Sequence, residues 1–267
     1  GIRDLGLKHD LSWNPSPGHM VRAGIQTTWH HFTPSAIVLR DDYIDEFVHE
    51  VESINVLESG IYIEDEIRLG DRLLMNPGLR LSHLVHRSTH YLRPEPRFSV
   101  RYSILEDLAA KGSFASMNQY VHLLSSTGIG LPTDLWVPTT ENIPPQSSWQ
   151  LATGISKDFL KAGLEFSIEA YYKKSDNVMG YREGASFLLI DDPTEAESFS
   201  WENNVTAGEA QAWGMELFLQ KKTGRLSGWI GYTLSWARLQ FEELNNGQPY
   251  WAKHDRRHDV SVVGMYE

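Results

Sequence analysis

The chain has 267 residues, is 41% hydrophobic, carries a net charge of -11 and contains no cysteine. Those values exclude disulfides, thiol chemistry and Cys-ligated zinc, and the acidic balance argues against a nucleic-acid partner. No run approaches the roughly 18 consecutive apolar residues of a membrane helix, which leaves open a β-barrel whose strands alternate apolar and polar side chains.

Period-two alternation dominates from the start. The opening GIRDLGLKHDLSW lacks the basic start and apolar core of a signal peptide and reads as a strand over 3–13. A tight turn, NPSPGH (14–19), leads to a strand over 18–30, in which Val21, Ala23, Ile25, Thr27 and Trp29 share one face. A long connection, 31–57, carries Asp41, Asp42, Asp45, Glu46, Glu50 and Glu52. Strands over 58–69 and 72–85 flank the turn Gly70-Asp71, and a longer connection is expected over 86–96. Strands over 97–104 and 108–119 flank Glu106-Asp107, and 120–146 is long. Strands over 147–158 and 163–174 follow. In the second, Leu164, Phe166, Ile168, Ala170 and Tyr172 oppose Glu165, Ser167, Glu169, Tyr171 and Lys173. The acidic connection 175–209 precedes a hairpin over 210–221 and 226–237, closed by Lys222-Thr223-Gly224. After the connection 238–256 a last strand, 257–266, reaches the chain end.

About eleven strands result, several of the 9–11 residues that a tilted strand needs to cross a bilayer. Short and long connections alternate, as in membrane barrels with brief periplasmic turns and long outer loops. The fold class is therefore all-β, an antiparallel transmembrane β-barrel meander. Leu164, Phe166, Ile168, Met215, Leu217, Ile230 and Leu234 should face lipid, and Glu165, Glu169, Glu216 and Ser235 the lumen. Trp29, Tyr91, Tyr120, Trp149, Tyr172, Trp213, Trp236 and Trp251 fall near strand ends, where amphipathic rings favour the membrane interface. The opposite arrangement, an apolar interior under a polar exterior, would mark a soluble secreted carbohydrate-binding module or glycoside hydrolase.

Several residues invite chemistry. Glu165 and Glu169 lie four apart on one strand face, too far for a close glycosidase pair; as lumen residues their candidate counter-charges are Lys173 and Arg101. His254, Asp255 and His258 are of metal-ligand type, but Arg256 and Arg257 stand beside them, and Asp255-Arg256 reads better as an ion pair. Gly163, Gly214, Gly228 and Gly231 read as relief of crowding, and Gly224 as turn flexibility. No catalytic residue, metal ligand or cofactor is expected.

Five blocks carry a resemblance: PEPRFSVRYSI (94–104), LPTDLWVPTTENIPPQSSWQLATG (131–154), LEFSIEAYYKKSDNVMGYREG (164–184), QAWGMELFLQKKTGRLSGWIGYTLSWA (211–237) and YWAKHDRRHDVSVVGMYE (250–267). In this order they resemble the barrel of TonB-dependent outer-membrane receptors. The resemblance implies a barrel of about 22 strands around an N-terminal plug. It also implies a bacterial outer-membrane location and import of a small ligand driven by the TonB energy-coupling complex. Residues 1–267 are then expected to be a partial barrel domain, with the plug and the remaining strands outside this chain. Ligand contacts are expected from the outer loops, at Trp136, Asp134, Glu183, Asp191 and Asp192, with outer-membrane lipid around the wall. A porin or adhesin barrel without TonB coupling is the remaining membrane alternative.

Overall fold

The computed structural model describes residues 1–33, 39–41, 44–47, 53–124, 135–182 and 201–266. The strands are β1 (Ile2–Ser16), β2 (His19–Phe32), β3 (Leu39–Asp41), β4 (Ile44–Phe47), β5 (Ile54–Leu69), β6 (Leu73–His86), β7 (Thr89–Leu105) and β8 (Leu108–Gln119). Then come β9 (Val121–Leu124), β10 (Leu135–Pro138), β11 (Gln146–Phe159), β12 (Leu164–Tyr181), β13 (Val205–Lys221), β14 (Leu226–Phe241), β15 (Tyr250–Trp251) and β16 (His258–Tyr266). All but β3, β4, β9 and β10 form one 12-stranded antiparallel sheet, in chain order from β1 to β14, with β15 and β16 both pairing β14. β1 and β16 are its two edges and do not pair with one another, so the sheet is open.

Register turns the alternation within each strand into rows across strands. One row runs Tyr102, Ala110, Ile155, Ile168, Leu217, Tyr232, Val260 through seven strands. The row one residue away runs Arg101, Lys111, Gly154, Glu169, Glu216, Thr233, Asp259. Directly opposed residues share a face and successive residues do not, so one face is apolar throughout and the other polar. The expected sets Leu164, Phe166, Ile168, Met215, Leu217, Ile230, Leu234 and Glu165, Glu169, Glu216, Ser235 fall on these two faces. The apolar face is not packed against anything: Leu5, Ile61, Leu151, Ile230 and Val262 are all exposed.

The small hairpin β9–β10 lies on the polar face, touching both β2 and β12. Those two strands are six steps apart in the sheet, which at about 4.8 Å per step is roughly 29 Å. A hairpin of four-residue strands spans both only if the sheet curls, with the polar face inside.

The turns at 17–18, 70–72, 106–107, 160–163 and 222–225 fall at one end of the meander and the connections 33–53, 120–145, 182–204 and 242–257 at the other. One expected loop is absent: over 86–96, β6 and β7 continue to a two-residue turn at Arg87-Ser88, with Arg87 at φ 51°. This stretch of β7 contains Pro94 and Pro96, and β8 pairs with β7 only from Arg97 onward. Residues 89–96 therefore have one free edge, where a missing N–H is tolerated. At Pro77 the β5–β6 ladder skips a beat, between the pairs Glu64–Gly78 and Ile67–Met75, for the same reason. Strand ends also run past their expected limits: β1 to Ser16, β5 from Ile54, β12 to Tyr181, β13 from Val205 and β14 to Phe241. Beyond the apolar band a paired strand no longer needs alternation, so the pattern stops before the strand does.

Candidate functional site

Where the wall's loop end closes over the polar face, the side chains pack as in a water-soluble domain. Leu124, Val137, Ile143, Trp201 and Val205 form one buried cluster, joined by Ile54, Met179 and Tyr181. Phe32, Val56, Leu84 and Tyr120 form a second, joined by Tyr91 and Val121. Residues from β5, β12, β13 and the described parts of two connections, 120–124 with 135–145 and 201–204, thus meet in one cap.

Polar contacts fix the cap's register. The hydroxyl of Tyr91 donates to the Thr140 carbonyl at 2.9 Å. Glu202, from the short 3-10 turn Trp201–Asn204, accepts from the Thr140 hydroxyl and from Asn142 Nδ2 at 2.6 Å, which ties the two connections together. His122 Nε2 lies 3.1 Å from Thr139 Oγ1, and burial pushes the imidazole down to about 4. Glu95, itself buried, accepts from Ser82 Oγ at 2.7 Å and from the Asn118 backbone and side-chain nitrogens at 3.1 and 3.2 Å. Ser82 Oγ also lies 2.8 Å from the Tyr120 hydroxyl, whose pKa burial raises.

Beneath the cap lies a recess of about 350 Å³ on the polar face, lined among others by Glu58, Asn118, Gln119, Gln146, Ser148 and Lys173. Glu58 is already held by Arg80 at 3.7 Å. Lys173 has no ion-pair partner among the described residues. The recess offers amides, the hydroxyls of Ser148 and Tyr120, one carboxylate and one ammonium, a set that binds hydroxyl or carboxylate oxygens.

The residues anticipated from sequence divide. Trp136 lies on β10 opposite Leu123, and both are exposed, at 44% and 42%, while His122, Leu124 and Val137 are buried. Asp134, Glu183, Asp191 and Asp192 lie outside the described residues. Trp29, Trp149, Tyr172, Trp213 and Trp236 sit at the loop end of the apolar face, with Trp149–Tyr172 and Trp213–Trp236 in ring contact, and Trp251 beside them. Tyr91 and Tyr120 do not join this girdle. Both point to the polar side and enter the cap, because the cap offers them acceptors as well as apolar neighbours.

The expected counter-charges also change. Glu165 pairs with Lys222 and Glu169 with Lys111 at 3.6 Å, in place of Lys173 and Arg101. Lys111 reaches Glu169 across Gly154, where a Cβ would meet Glu169 Cγ at 2.7 Å and the Ile168 carbonyl at 2.8 Å. Asp255 pairs with Arg257 at 3.2 Å and caps the Ala237 amide at 2.7 Å, whereas Arg256 faces Asp259 at 4.0 Å. His258 is taken by the Tyr232 hydroxyl at 2.8 Å. Among the described residues no three acidic or histidine side chains converge as a metal site. Of the glycines singled out, Gly163, Gly224 and Gly228 adopt positive φ, at 60°, 99° and 146°. Gly214 would clash with the Leu234 carbonyl at 2.6 Å.

The cap and the recess had no separate signal in the sequence. Lys173 and Glu58 could have been found, since parity puts both on the polar face. Glu95 and Glu202 could not, because their roles depend on how two distant connections meet.

Known proteins share this architecture. Over residues 3–258 the chain matches the sequence model of the family described as TonB dependent receptor-like, beta-barrel. The FrpB iron transporter from Neisseria meningitidis (F3-3 variant) superposes with a TM-score of 0.62 at 13% identity, over 92% of this chain and 37% of that one. The ferripyoverdine receptor of the outer membrane of Pseudomonas aeruginosa, bound to ferripyoverdine, gives 0.62 at 14% identity, over 99% and 35%. The alcaligin outer-membrane receptor FauA from Bordetella pertussis gives 0.60 at 15% identity, over 98% and 42%. The chain thus spans about two fifths or less of the length of these proteins. No curated protein matches it in sequence. An open antiparallel wall with its apolar side chains outward and its charges inward, matched along nearly its whole length, assigns the chain to the TonB-dependent receptor-like β-barrel family.

Proposed function

We propose that residues 1–267 are part of the wall of an outer-membrane receptor that imports a small ligand by TonB-dependent transport, and that the chain performs no catalysis. The observation that carries this reading is the pair of adjacent rows: Ile168 and Leu217 with their apolar neighbours outward, Glu169 and Glu216 with their polar neighbours inward. Lipid is the solvent that suits the first row and a wet lumen the second. The two unpaired sheet edges support a barrel completed by further strands, and a plug domain in its lumen would link it to the TonB complex.

The ligand class we favour is a metal chelate, by analogy with the iron transporter and the ferripyoverdine receptor that share the fold. The loop end would be the extracellular mouth. There Trp136 would contact the ligand, with Asp134, Glu183, Asp191 and Asp192 on the adjoining loops and Lys173 and Gln146 lower in the recess. The net charge of -11 disfavours nucleic acid.

The test uses the complete receptor in its own bacterium, with radioactive iron supplied as a panel of ferric chelates. Disruption of the gene should abolish uptake of at least one chelate, and loss of TonB should do the same. Uptake that survives loss of TonB would reject the energised reading in favour of a passive pore. Trp136→Ala should weaken that chelate's binding by roughly tenfold or more, the scale of one aromatic hot spot. Unchanged affinity would remove Trp136 from the site.

A further inference from the structure

The outer face carries one cluster that ligand import leaves without a task. At the loop end of β13 and β14, Trp213 stacks on its cross-strand partner Trp236, with centroids 6.0 Å apart and planes at 7°. Trp251 of β15 meets Trp213 at 6.2 Å. Two guanidinium groups lie against these rings. Arg257 is 5.0 Å from the centroid of Trp236 and 4.6 Å from that of Trp251, and Arg238 is 5.8 Å from that of Trp213.

The cations are incompletely matched. Arg238 donates to the neutral Gln211 side chain at 2.6 Å and has no carboxylate partner among the described residues. Arg257 is held at Nη2 by Asp255, but its Nη1 is buried and has no acceptor among the described residues. Such an orphaned donor is costly unless something accepts from it.

Height along the wall gives the second argument. The outward side chains of β14 run Ile230, Tyr232, Leu234, Trp236, Arg238. At about 3.3 Å per residue, Arg238 stands roughly 7 Å beyond Trp236 and level with its cross-strand partner Trp251, along a strand already leaving the apolar band. Aromatic rings sit at the membrane–water interface, so the two guanidinium groups, packed among these indoles, stand within that interfacial belt and next to the headgroups. Lys253 and Arg256 continue the basic character on the 252–257 connection, in a chain that is acidic overall.

We propose that this cluster binds the phosphate of an anionic lipid headgroup in the leaflet on the loop side. The guanidinium fork matches phosphate oxygens in two-point hydrogen bonds, and indole faces hold the forks and desolvate them. Acyl chains then lie along Trp213, Met215 and Leu217 below. A ligand bound for the lumen has no access to this site, which faces away from the polar side. The proposal rests on the membrane placement argued above.

The test uses the complete receptor in mild detergent, with bound lipid counted by native mass spectrometry. Diphosphorylated lipid A is the probe, phosphatidylcholine the zwitterionic control and inorganic phosphate the headgroup-free competitor. The wild type should retain lipid A in preference to phosphatidylcholine, and inorganic phosphate should not displace it. Arg238→Gln should weaken retention by roughly tenfold, the scale of one charge-assisted hydrogen bond, and the double variant Arg238→Gln/Arg257→Gln further. Equal retention by the wild type and Arg238→Gln, equal retention of phosphatidylcholine, or displacement by inorganic phosphate each overturns the proposal. Should Arg257→Gln prevent folding, Arg238→Gln carries the test alone, since Arg238 touches only Gln211 and the Trp213 ring in the contacts above. Failure of the membrane placement would look different: the protein would stay dispersed without detergent.

Discussion

The cap and the wall are built from the same residue types and held together in opposite ways. In the cap, Phe32, Leu84 and Tyr120 are buried in one cluster and Leu124, Val137 and Trp201 in another. In the wall, Leu7, Leu11, Ile63 and Val260 point outward with nothing packed over them, and Leu7 is 70% exposed. The cap therefore coheres by removing apolar surface from water. The wall coheres through the backbone ladders of its sheet, and on the membrane placement proposed above lipid is the medium for its outward side chains. The lesson is that the buried apolar clusters of this chain lie at the loop end of the sheet and not against its apolar face.

That contrast predicts a separation of effects, largest in the cap. Trp201→Ala should take about 3–5 kcal/mol from cap closure, the usual scale for emptying a buried aromatic site. Hydrogen exchange should accelerate at Val137, Ile143 and Val205 and stay slow in β11 and β12. Equal acceleration in those strands would erase the distinction between the two regions.

The wall should respond to face instead of burial. Ile168→Arg places a charge in the lipid-facing row and should cost about 2–4 kcal/mol, as at a bilayer midplane. Ser167→Arg, one residue away on the polar face, should change stability by less than about 1 kcal/mol. Chemical unfolding of the complete receptor in lipid vesicles measures both, and similar costs would mean that the two faces meet similar surroundings.

A smaller effect separates the regions by pH. Burial lowers the His122 pKa from 6.5 to about 4, so the closed cap favours the neutral ring. The open cap binds a proton more readily, so closure is complete in its stability above pH 6.5 and weakens as pH falls toward 4. The loss is at most about 3 kcal/mol, at 1.36 kcal/mol per pKa unit. Exchange rates in the cap should rise over that window while those in β12 do not, and His122→Gln should flatten the dependence.

Much of the wall was legible because its cause is local. Alternation from Leu164 to Lys173 assigns each side chain to a face whatever strand lies alongside, and the turns at Gly163 and Gly224 announce themselves through residue type. Over 86–96 the strands continue through Pro94 and Pro96 because a strand excludes proline only where a neighbouring strand needs its N–H, and β8 leaves that edge free. The site was less legible. Trp136 falls on the short strand β10 of its connection, and the recess depends on Glu58, Gln146 and Lys173, which are far apart in sequence.

The sequence by itself determined which side chains share a face, the order of the strands and the end at which the long connections lie, since period two and turn chemistry act over a few residues. Only the tertiary structure decided which charges meet and where the core forms. Glu169 pairs with Lys111 two strands away, over a glycine, and Asp255 chooses Arg257 over the adjacent Arg256. Tyr120 leaves the girdle for the cap because Ser82 and Glu95 wait there. These choices follow from register and curl, which bring residues together sideways across the sheet, a direction in which spacing along the chain carries no information.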